Sequence, residues 1–180
     1  IARVSEGFGV RAIHRPPEFA ADRSPIEHAL RHVVETLESE GEEIGLVVWL
    51  QANVPTTKAG FIDQAVTMLK TTDCHSVQTV VPFPVPPQWS WRLDGDRLIP
   101  LEVCYQYNIR RQDEIPAYYL DGSVCALRRD ILMGTIGQPG GQVYFGTDRR
   151  AIVLEPGSSV EIDNAFDFEL CEFLLSRGRL

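Results

Sequence analysis

A continuous apolar run over residues 44–50 follows two glutamates and ends in polar residues and Pro55. A run that is apolar on both faces is typical of a strand inside a parallel sheet that helices cover on both sides. A buried helix is the poorer interpretation, because the run is short, partly β-branched and stopped by proline. The pattern predicts an interior strand over 44–50, in which the buried side chains are Leu46, Val47, Val48 and Leu50.

Apolar residues recur at helical spacing on both sides of this run, which predicts helices at about 25–40 and 58–70. Ser24 is the expected N-cap of the first helix and Thr57 that of the second. Short strands are predicted over 10–13 and 76–81. The order strand, helix, strand, helix, strand indicates a doubly wound α/β fold with a mostly parallel sheet and helices on both faces.

The second half of the chain has a different character. A hairpin is predicted over 89–101 with its turn at Asp94-Gly95, followed by polar sequence without clear periodicity. Further strands are expected over 118–127, 143–145 and 151–154, and Asn164 caps a last helix that runs to about 177. Aromatic residues of the 87–116 excursion have too little sequence around them to be buried, which predicts a homodimer interface. They are Trp89, Trp91, Tyr105 and Tyr107.

Composition narrows the class of protein. The 180 residues are 44% apolar, enough for a single globular domain over 1–180, and no run is long enough to span a membrane. The net charge of −8 argues against a nucleic-acid surface. The four cysteines are far apart and form no CxxC pair, and no signal-peptide pattern opens the chain, so reduced thiols and a cytoplasmic protein are expected.

Two carboxylates near the end of the chain carry the sharpest chemical signal. Glu161 and Asp163 are two residues apart on an extended segment, so their side chains point to one side. Mg²⁺ with a phosphate-bearing substrate would join them; the alternative is a solvated strand edge that leads into a helix cap. Gln51 and Asn53 stand at the carboxyl end of the apolar strand, where open α/β sheets bind ligands.

Two arginine-bearing loops are further candidates. The loop at residues 15–22 leads into a helix N-terminus and carries Arg15, an arrangement that suits a nucleotide or another anion. Arg110 and Arg111 are adjacent and could receive a carboxylate or phosphate. A solvated surface loop is the alternative for each. His28 and His32 have a metal-binding spacing but no evident third ligand.

Together these stretches resemble the acylneuraminate cytidylyltransferase family, the CMP–sialic acid synthetases and their relatives. Residues 15–22 (RPPEFAAD) resemble the family's RPxELAxD segment, and residues 50–55 (LQANVP) its LQPTSP segment. Residues 111–113 fall in its RQ-containing loop, and residues 119–122 where it has an R-P-N-G strand entry. Residues 160–168 resemble its closing IDIDxxxDF. The resemblance covers nearly the whole chain.

The resemblance implies a Rossmann-like nucleotide-diphospho-sugar transferase fold and a Mg²⁺-dependent transfer of CMP from CTP to a nonulosonic, sialic-acid-like sugar, with release of pyrophosphate. Asp163 and Glu161 would be the catalytic, metal-holding residues, and Arg15 and Ser24 would contact the nucleotide. The acidic nine-carbon sugar would be bound by Gln51, Asn53, Arg111, Tyr119 and Asp121. A homodimer formed through residues 87–116 is also implied.

The chain departs from the family's sequence pattern in three ways that bear on its substrate and its activity. The family's glycine- and lysine-rich nucleotide loop is absent, and the chain begins at Ile1 where the family has already completed its second strand, so an incomplete chain or a lost loop is expected. Val54 and Thr57 replace a serine and an arginine, and Tyr119 replaces the arginine that receives the sugar carboxylate. The alternatives are a non-catalytic relative that serves as a binding or regulatory module, and a nucleotidyltransferase for a sugar phosphate.

Overall fold

The computed structural model describes residues 1–21, 23–101, 110 and 115–178. The helices are α1 (Ala2–Gly7), α2 (Ile26–Ser39), α3 (Ala59–Thr71), α4 (Arg129–Gly134) and α5 (Ala165–Ser176). The strands are β1 (Leu46–Trp49), β2 (Ser76–Pro82), β3 (Trp91–Asp94), β4 (Arg97–Pro100), β5 (Tyr118–Arg128) and β6 (Arg149–Val153). Short 3-10 turns cover Pro17–Phe19, Pro87–Trp89 and Val143–Phe145.

The main sheet has the strand order β1-β5-β2-β6. β2 and β6 pair in parallel, whereas β5 runs antiparallel to both of its neighbours, β1 and β2. Three of the four strands described in this sheet, β1, β2 and β6, therefore point the same way, and β5 lies between β1 and β2 in the opposite direction. The α/β class with a mostly parallel strand direction is confirmed.

The predicted interior position of the apolar run is wrong. Within the described residues β1 is an edge strand that pairs with β5 alone, and all four of its residues are half-buried. Leu50 lies beyond the strand and is 44% exposed. An apolar run shows that both faces are covered, but it cannot show how many of a strand's two edges are paired.

Helices cover both faces of the sheet, as predicted. Alternation along β5 divides the core, because successive side chains of a strand point to opposite faces. Val124 and Ala126 pack with Leu69 of α3 on one face, while Cys125 and Leu127 pack with α2, α4 and Phe145 on the other. The sheet is thereby fixed between two apolar layers, and its strand ends are free to carry polar groups.

Local predictions had mixed outcomes at the helix starts. The N-cap of α2 is Pro25, and the Ser24 hydroxyl instead donates to the Glu18 carbonyl at 2.8 Å. The N-cap of α3 is Lys58, while the Thr57 hydroxyl donates to the carbonyls of Val54 and Ser123. In both cases the hydroxyl that the sequence pattern assigned to a helix N-terminus donates instead to a backbone carbonyl outside that helix.

Two predicted strands are not formed. Residues 10–13 have no regular secondary structure, and Val143–Phe145 is a 3-10 turn whose Phe145 ring is buried against the sheet. The predicted hairpin is present as β3 and β4, with Asp94 paired to Arg97 and Gly95 at φ 63° in the turn. Tyr105 and Tyr107 of the excursion lie outside the described residues. No described helix has both the length and the apolar character needed to cross a bilayer.

Candidate functional site

The chain folds back immediately after β1. The Val54 N–H donates to the Gln51 carbonyl at 3.2 Å, and the Thr57 N–H donates to the Val54 carbonyl at 3.4 Å. Val54 is 2% exposed and anchors this turn in the core. Gln51 and Asn53 are therefore held just beyond the carboxyl end of β1, which is the ligand-binding end of an open α/β sheet.

The closing segment, residues 158–163, docks on this turn. The Ile162 N–H donates to the Asn53 carbonyl at 2.8 Å, and the Val160 N–H donates to the Thr56 hydroxyl at 3.1 Å. The side-chain amide of Asn53 also donates to Oδ1 of Asp163 at 3.1 Å. Two predicted site residues from opposite halves of the chain, Asn53 and Asp163, are thus in direct contact.

Asp163 is also fixed from the helix that follows it. Asn164 and Asp167 form a reciprocal capping box at the start of α5, which confirms the predicted cap. Oδ2 of Asp167 accepts the backbone N–H groups of Asp163 at 3.1 Å and Asn164 at 3.2 Å. The carboxylate of Asp163 therefore projects from a backbone held on both sides, by the turn after β1 and by α5.

The Glu161 and Asp163 carboxylates are both exposed and lie outside the strands and helices, with Asp163 at a bend. Within the described ranges no group of three or more His, Cys, Asp or Glu side chains is arranged to hold a metal ion. One or two carboxylates completed by substrate phosphates and water are what Mg²⁺ ordinarily uses at a phosphate site, so the donor chemistry of these two side chains suits such an ion.

A bulge in β5 forms the floor beneath the turn. The register between β2 and β5 shifts at Gln78–Val80, opposite Gly122, which has φ +75°. A Cβ atom at Gly122 would overlap the side chain of Gln51. The left-handed backbone favours glycine here, and the missing Cβ leaves room for the side-chain amide of Gln51.

Asp121, the residue before this glycine, is a buried carboxylate that is 4% exposed. Its Oδ2 atom accepts the hydroxyls of Ser123 at 2.5 Å and Ser159 at 2.8 Å. Oδ1 has no hydrogen-bond partner among the described residues. Burial, helped by the negative charge of Asp121, raises the pKa of the Cys125 thiol to about 12, so that this thiol is neutral and unreactive.

Tyr119 lies on the same strand at the mouth of a cleft. Its ring packs against Phe83 with the ring centroids 4.9 Å apart. Tyr119 and Ser159 both line this cleft, which has a volume of about 350 Å³ and is walled by Pro82, Phe83 and Gly157. The serine that bonds Asp121 therefore also faces open space beside the site.

The remaining predicted residues lie apart from this cluster or outside the described ranges. The Arg15 side chain is exposed, and Phe19 holds its loop on α2 by edge contacts with His28 and His32. Neither Arg15 nor Ser24 bonds the turn after β1. The two histidines are half-buried packing residues. Arg111 lies outside the described residues.

No protein-family profile and no curated protein sequence matches the chain. A solved structure does match: a CMP:2-keto-3-deoxy-manno-octonic acid synthetase complexed with CTP, at a TM-score of 0.68. The match covers 99% of this chain and 78% of that chain, at 15% sequence identity. The chain has the fold of this synthetase. The likeness confirms the predicted nucleotide-diphospho-sugar transferase-like fold class.

Three side chains of the site were not predicted. The hydroxyls of Thr56, Ser123 and Ser159 join the turn, the bulge and the closing segment. Thr56 and Ser159 stand beside residues that were singled out, but their partners are 104 and 38 residues away in the chain. The available sequence signal was their position among the polar residues that follow apolar strands, where ligands bind in open α/β sheets.

Proposed function

We propose that this protein is a nucleotidyltransferase that transfers a cytidylyl group from CTP to an acidic keto sugar. The observation that carries the proposal is the fold shared with a CTP-bound synthetase for such a sugar, over 99% of the chain. Carboxylate and amide side chains meet at the carboxyl end of β1, where this fold class binds ligands. The sequence segments that resemble the cytidylyltransferases, around Gln51 and Asp163, are the ones joined by the Asn53–Asp163 bond.

In this proposal Asp163 and Glu161 would hold Mg²⁺. When bound, this ion would neutralise charge on the phosphates as the anomeric hydroxyl of the sugar displaces pyrophosphate from the α-phosphorus. Asn53 orients Asp163 by donating to its Oδ1 atom. Gln51 contacts the sugar from the turn, and the loop of Arg15 and Ser24 contacts the nucleotide. Arg111 and Tyr119 are proposed to contact the sugar as well.

More specifically, we propose that the acceptor sugar is a nine-carbon nonulosonic acid and that the protein acts in the cytoplasm. The acceptor class rests on the sequence resemblance, and Tyr119 in place of the expected arginine favours a relative of N-acetylneuraminic acid over that sugar itself. Free cysteines at Cys74, Cys125 and Cys171 support a reducing compartment.

We also propose that the protein forms a homodimer through the β3–β4 hairpin. Leu93, Leu98 and Trp91 of this hairpin are 70%, 63% and 42% exposed. Exposed apolar side chains clustered on one ribbon are typical of a protein–protein interface.

Light scattering at micromolar concentration should therefore give the mass of a dimer. Leu93→Asp together with Leu98→Asp should shift it to that of a monomer, because a charge on each strand would be desolvated in the interface. Ile136 is also apolar, is 58% exposed and lies in the loop after α4. Ile136→Asp is therefore the matched control and should leave the mass unchanged. A wild-type monomer would overturn the proposed assembly.

Nucleotide selectivity tests the proposed function without requiring the acceptor. CTP with Mg²⁺ should raise the melting temperature of the protein, because a ligand that binds only the folded state stabilises it. UTP and ATP should raise it less. A larger shift with UTP and a sugar 1-phosphate would instead favour a nucleotidyltransferase for sugar phosphates. No shift with any nucleotide would favour a non-catalytic module.

A further inference from the structure

A second cleft lies at the opposite end of the sheet from the candidate site. It has a volume of about 360 Å³ and is bounded by His75, by α4 with the loop that follows it, and by residues 143–147. His75 directly precedes β2, and α4 directly follows β5, which runs antiparallel to β2. The cleft is therefore at the amino end of β2, whereas Gln51 and Asn53 follow the carboxyl end of β1. Its volume is in the range of small-molecule sites.

The His75 ring is held firmly at one wall of this cleft. Its Nδ1 atom accepts the backbone N–H groups of Thr147 at 3.0 Å and Asp148 at 3.3 Å. Gly146 packs so closely on the ring that a Cβ atom there would overlap it, and its φ of +71° favours glycine. The His75 backbone is fixed too, because its N–H donates to the Asp148 carbonyl at 2.8 Å. The ring therefore keeps one orientation.

These bonds also fix which ring nitrogen carries the proton. A nitrogen that accepts hydrogen bonds is unprotonated, so the neutral His75 ring carries its proton on Nε2. Both bonds that the ring makes within the described residues go to Nδ1, which leaves the Nε2–H donor for a ligand. A metal ion bound at Nε2 would move the proton to Nδ1, against two N–H groups. The ring therefore favours an organic hydrogen-bond acceptor.

Asp130 supplies the complementary group. It lies in the first turn of α4, is exposed and lines the same cleft. An ionised carboxylate only accepts hydrogen bonds, so it calls for a donor on the ligand. The Thr135 hydroxyl is already used, because it donates to carbonyls of α4 and accepts from Arg31. Ile131 and Val143 supply apolar wall, and the part of the lining that the structure describes includes no lysine or arginine.

We infer that this cleft binds a small, uncharged organic ligand that carries a carboxamide group. One planar carboxamide offers a carbonyl acceptor to the Nε2–H of His75 and an N–H donor to Asp130. The apolar body of the ligand packs on Ile131 and Val143. An anion would be repelled by Asp130, with no described cation in the lining to offset the repulsion. This site is separate from that of the proposed function and does not depend on it.

Three probes of nearly equal size and different charge test the inference: benzamide, benzylamine and benzoate. Each is titrated into the whole protein, and ¹H–¹⁵N NMR follows the His75 ring and the backbone amide of Thr147, which also lines the cleft. The ring signals should show the proton on Nε2 and should shift with benzamide. The dissociation constant of benzamide should be at least roughly tenfold below that of benzoate, because hydrogen bonds to charged acceptors are among the stronger ones.

His75→Asn separates the role of the donor from a role in folding. The asparagine oxygen can replace Nδ1 as the acceptor for Thr147, but the Nε2–H donor is gone. Benzamide should bind roughly 2- to 10-fold more weakly to this variant, whereas benzylamine, which offers no acceptor, should bind equally well. Asp130→Asn should weaken benzylamine and strengthen benzoate. Asp63→Asn, at an exposed position of α3, is the control for the same charge change.

Each outcome decides the matter. Preferential binding of benzamide, weakened in His75→Asn while benzylamine binding is kept, supports the inference. It is overturned if benzoate binds as tightly as benzamide, if the ring proton is on Nδ1, or if His75→Asn binds benzamide as well as the parent does. Unchanged His75 and Thr147 signals with all three probes at millimolar concentration would overturn it as well. The titrations of the wild-type protein decide the question even if His75→Asn does not fold. CTP binding and pyrophosphate release are assayed separately and test the proposed function alone.

Discussion

Replacing Asp163 by asparagine should lower pyrophosphate release at least roughly 10- to 100-fold, the range typical of changes to metal ligands and their immediate partners. The substitution keeps the size of the side chain and an oxygen to accept from Asn53, but it removes a negative charge from the proposed Mg²⁺ site. Excess Mg²⁺ should restore part of the rate, because a weakened site fills at higher concentration. The rate is measured with coupled pyrophosphate detection across a Mg²⁺ titration.

The exposed Asp63→Asn on α3 is again the matched control and should leave the rate and its Mg²⁺ dependence unchanged. The thermal midpoint of Asp163→Asn should stay close to that of the parent, since Asp167 and Asn164 still cap α5. An Asp163→Asn protein as active as the parent at low Mg²⁺ would remove the metal role. Glu161 and Asp163 would then be a solvated segment that leads into a capped helix.

Gly122→Ala should both destabilise the fold and displace Gln51. A residue with a Cβ atom in the left-handed conformation costs roughly 1–2 kcal/mol, and the overlap with the Gln51 side chain adds to that. We expect a loss of about 1–3 kcal/mol in the free energy of unfolding. The affinity for the acceptor sugar should fall as Gln51 is pushed out of the turn. Urea denaturation and sugar binding measure the two effects.

Gly60→Ala is the corresponding control. Gly60 lies in the first turn of α3, has an ordinary φ and has open space where its Cβ would be. Alanine in a helix is more favourable than glycine by roughly 0.5–1 kcal/mol, so this change should be neutral or stabilising. If Gly122→Ala behaved like Gly60→Ala, the close packing of Gln51 on the bulge would be wrong.

The sequence was most informative where local periodicity decides structure. The apolar spacing in α2 and α3, the β-branched run of β2 and the capping box at Asn164 could all be predicted, because each depends on residues a few positions apart. The hairpin followed from its Asp-Gly turn. These elements, arranged in order along the chain, were enough for the α/β class.

Strand pairing could not be predicted in the same way. The position of β1 at an edge depends on contacts between residues about 80 positions apart, and the insertion of β5 beside β2 on contacts between residues about 35 to 50 positions apart. A local pattern carries no information on which of two edges is paired. The same limit applied to Thr57, whose hydroxyl donates to the Ser123 carbonyl of β5, 66 residues away in the chain.

The candidate site was predicted in its residues more than in its arrangement. Gln51, Asn53 and Asp163 were singled out, and the fold brings Asn53 and Asp163 into contact. The buried state of Asp121 was not predicted, because aspartate is mostly exposed unless it is paired, and its partner Ser159 is 38 residues away. Its burial results from the bulge and from Ser159, which a one-dimensional pattern does not connect.

The most direct test of the account is pyrophosphate release by the protein from CTP and Mg²⁺ with an acidic keto sugar. For a full chain that carries the glycine- and lysine-rich nucleotide loop, we predict release that requires all three components, with a nonulosonic acid or 2-keto-3-deoxy-manno-octonic acid as the acceptor and CMP-sugar as the second product. The sugar must also be indispensable, since release without it would indicate simple hydrolysis. The absence of any sugar-dependent release across this panel, from protein that is folded and binds CTP, would contradict the proposed cytidylyl transfer.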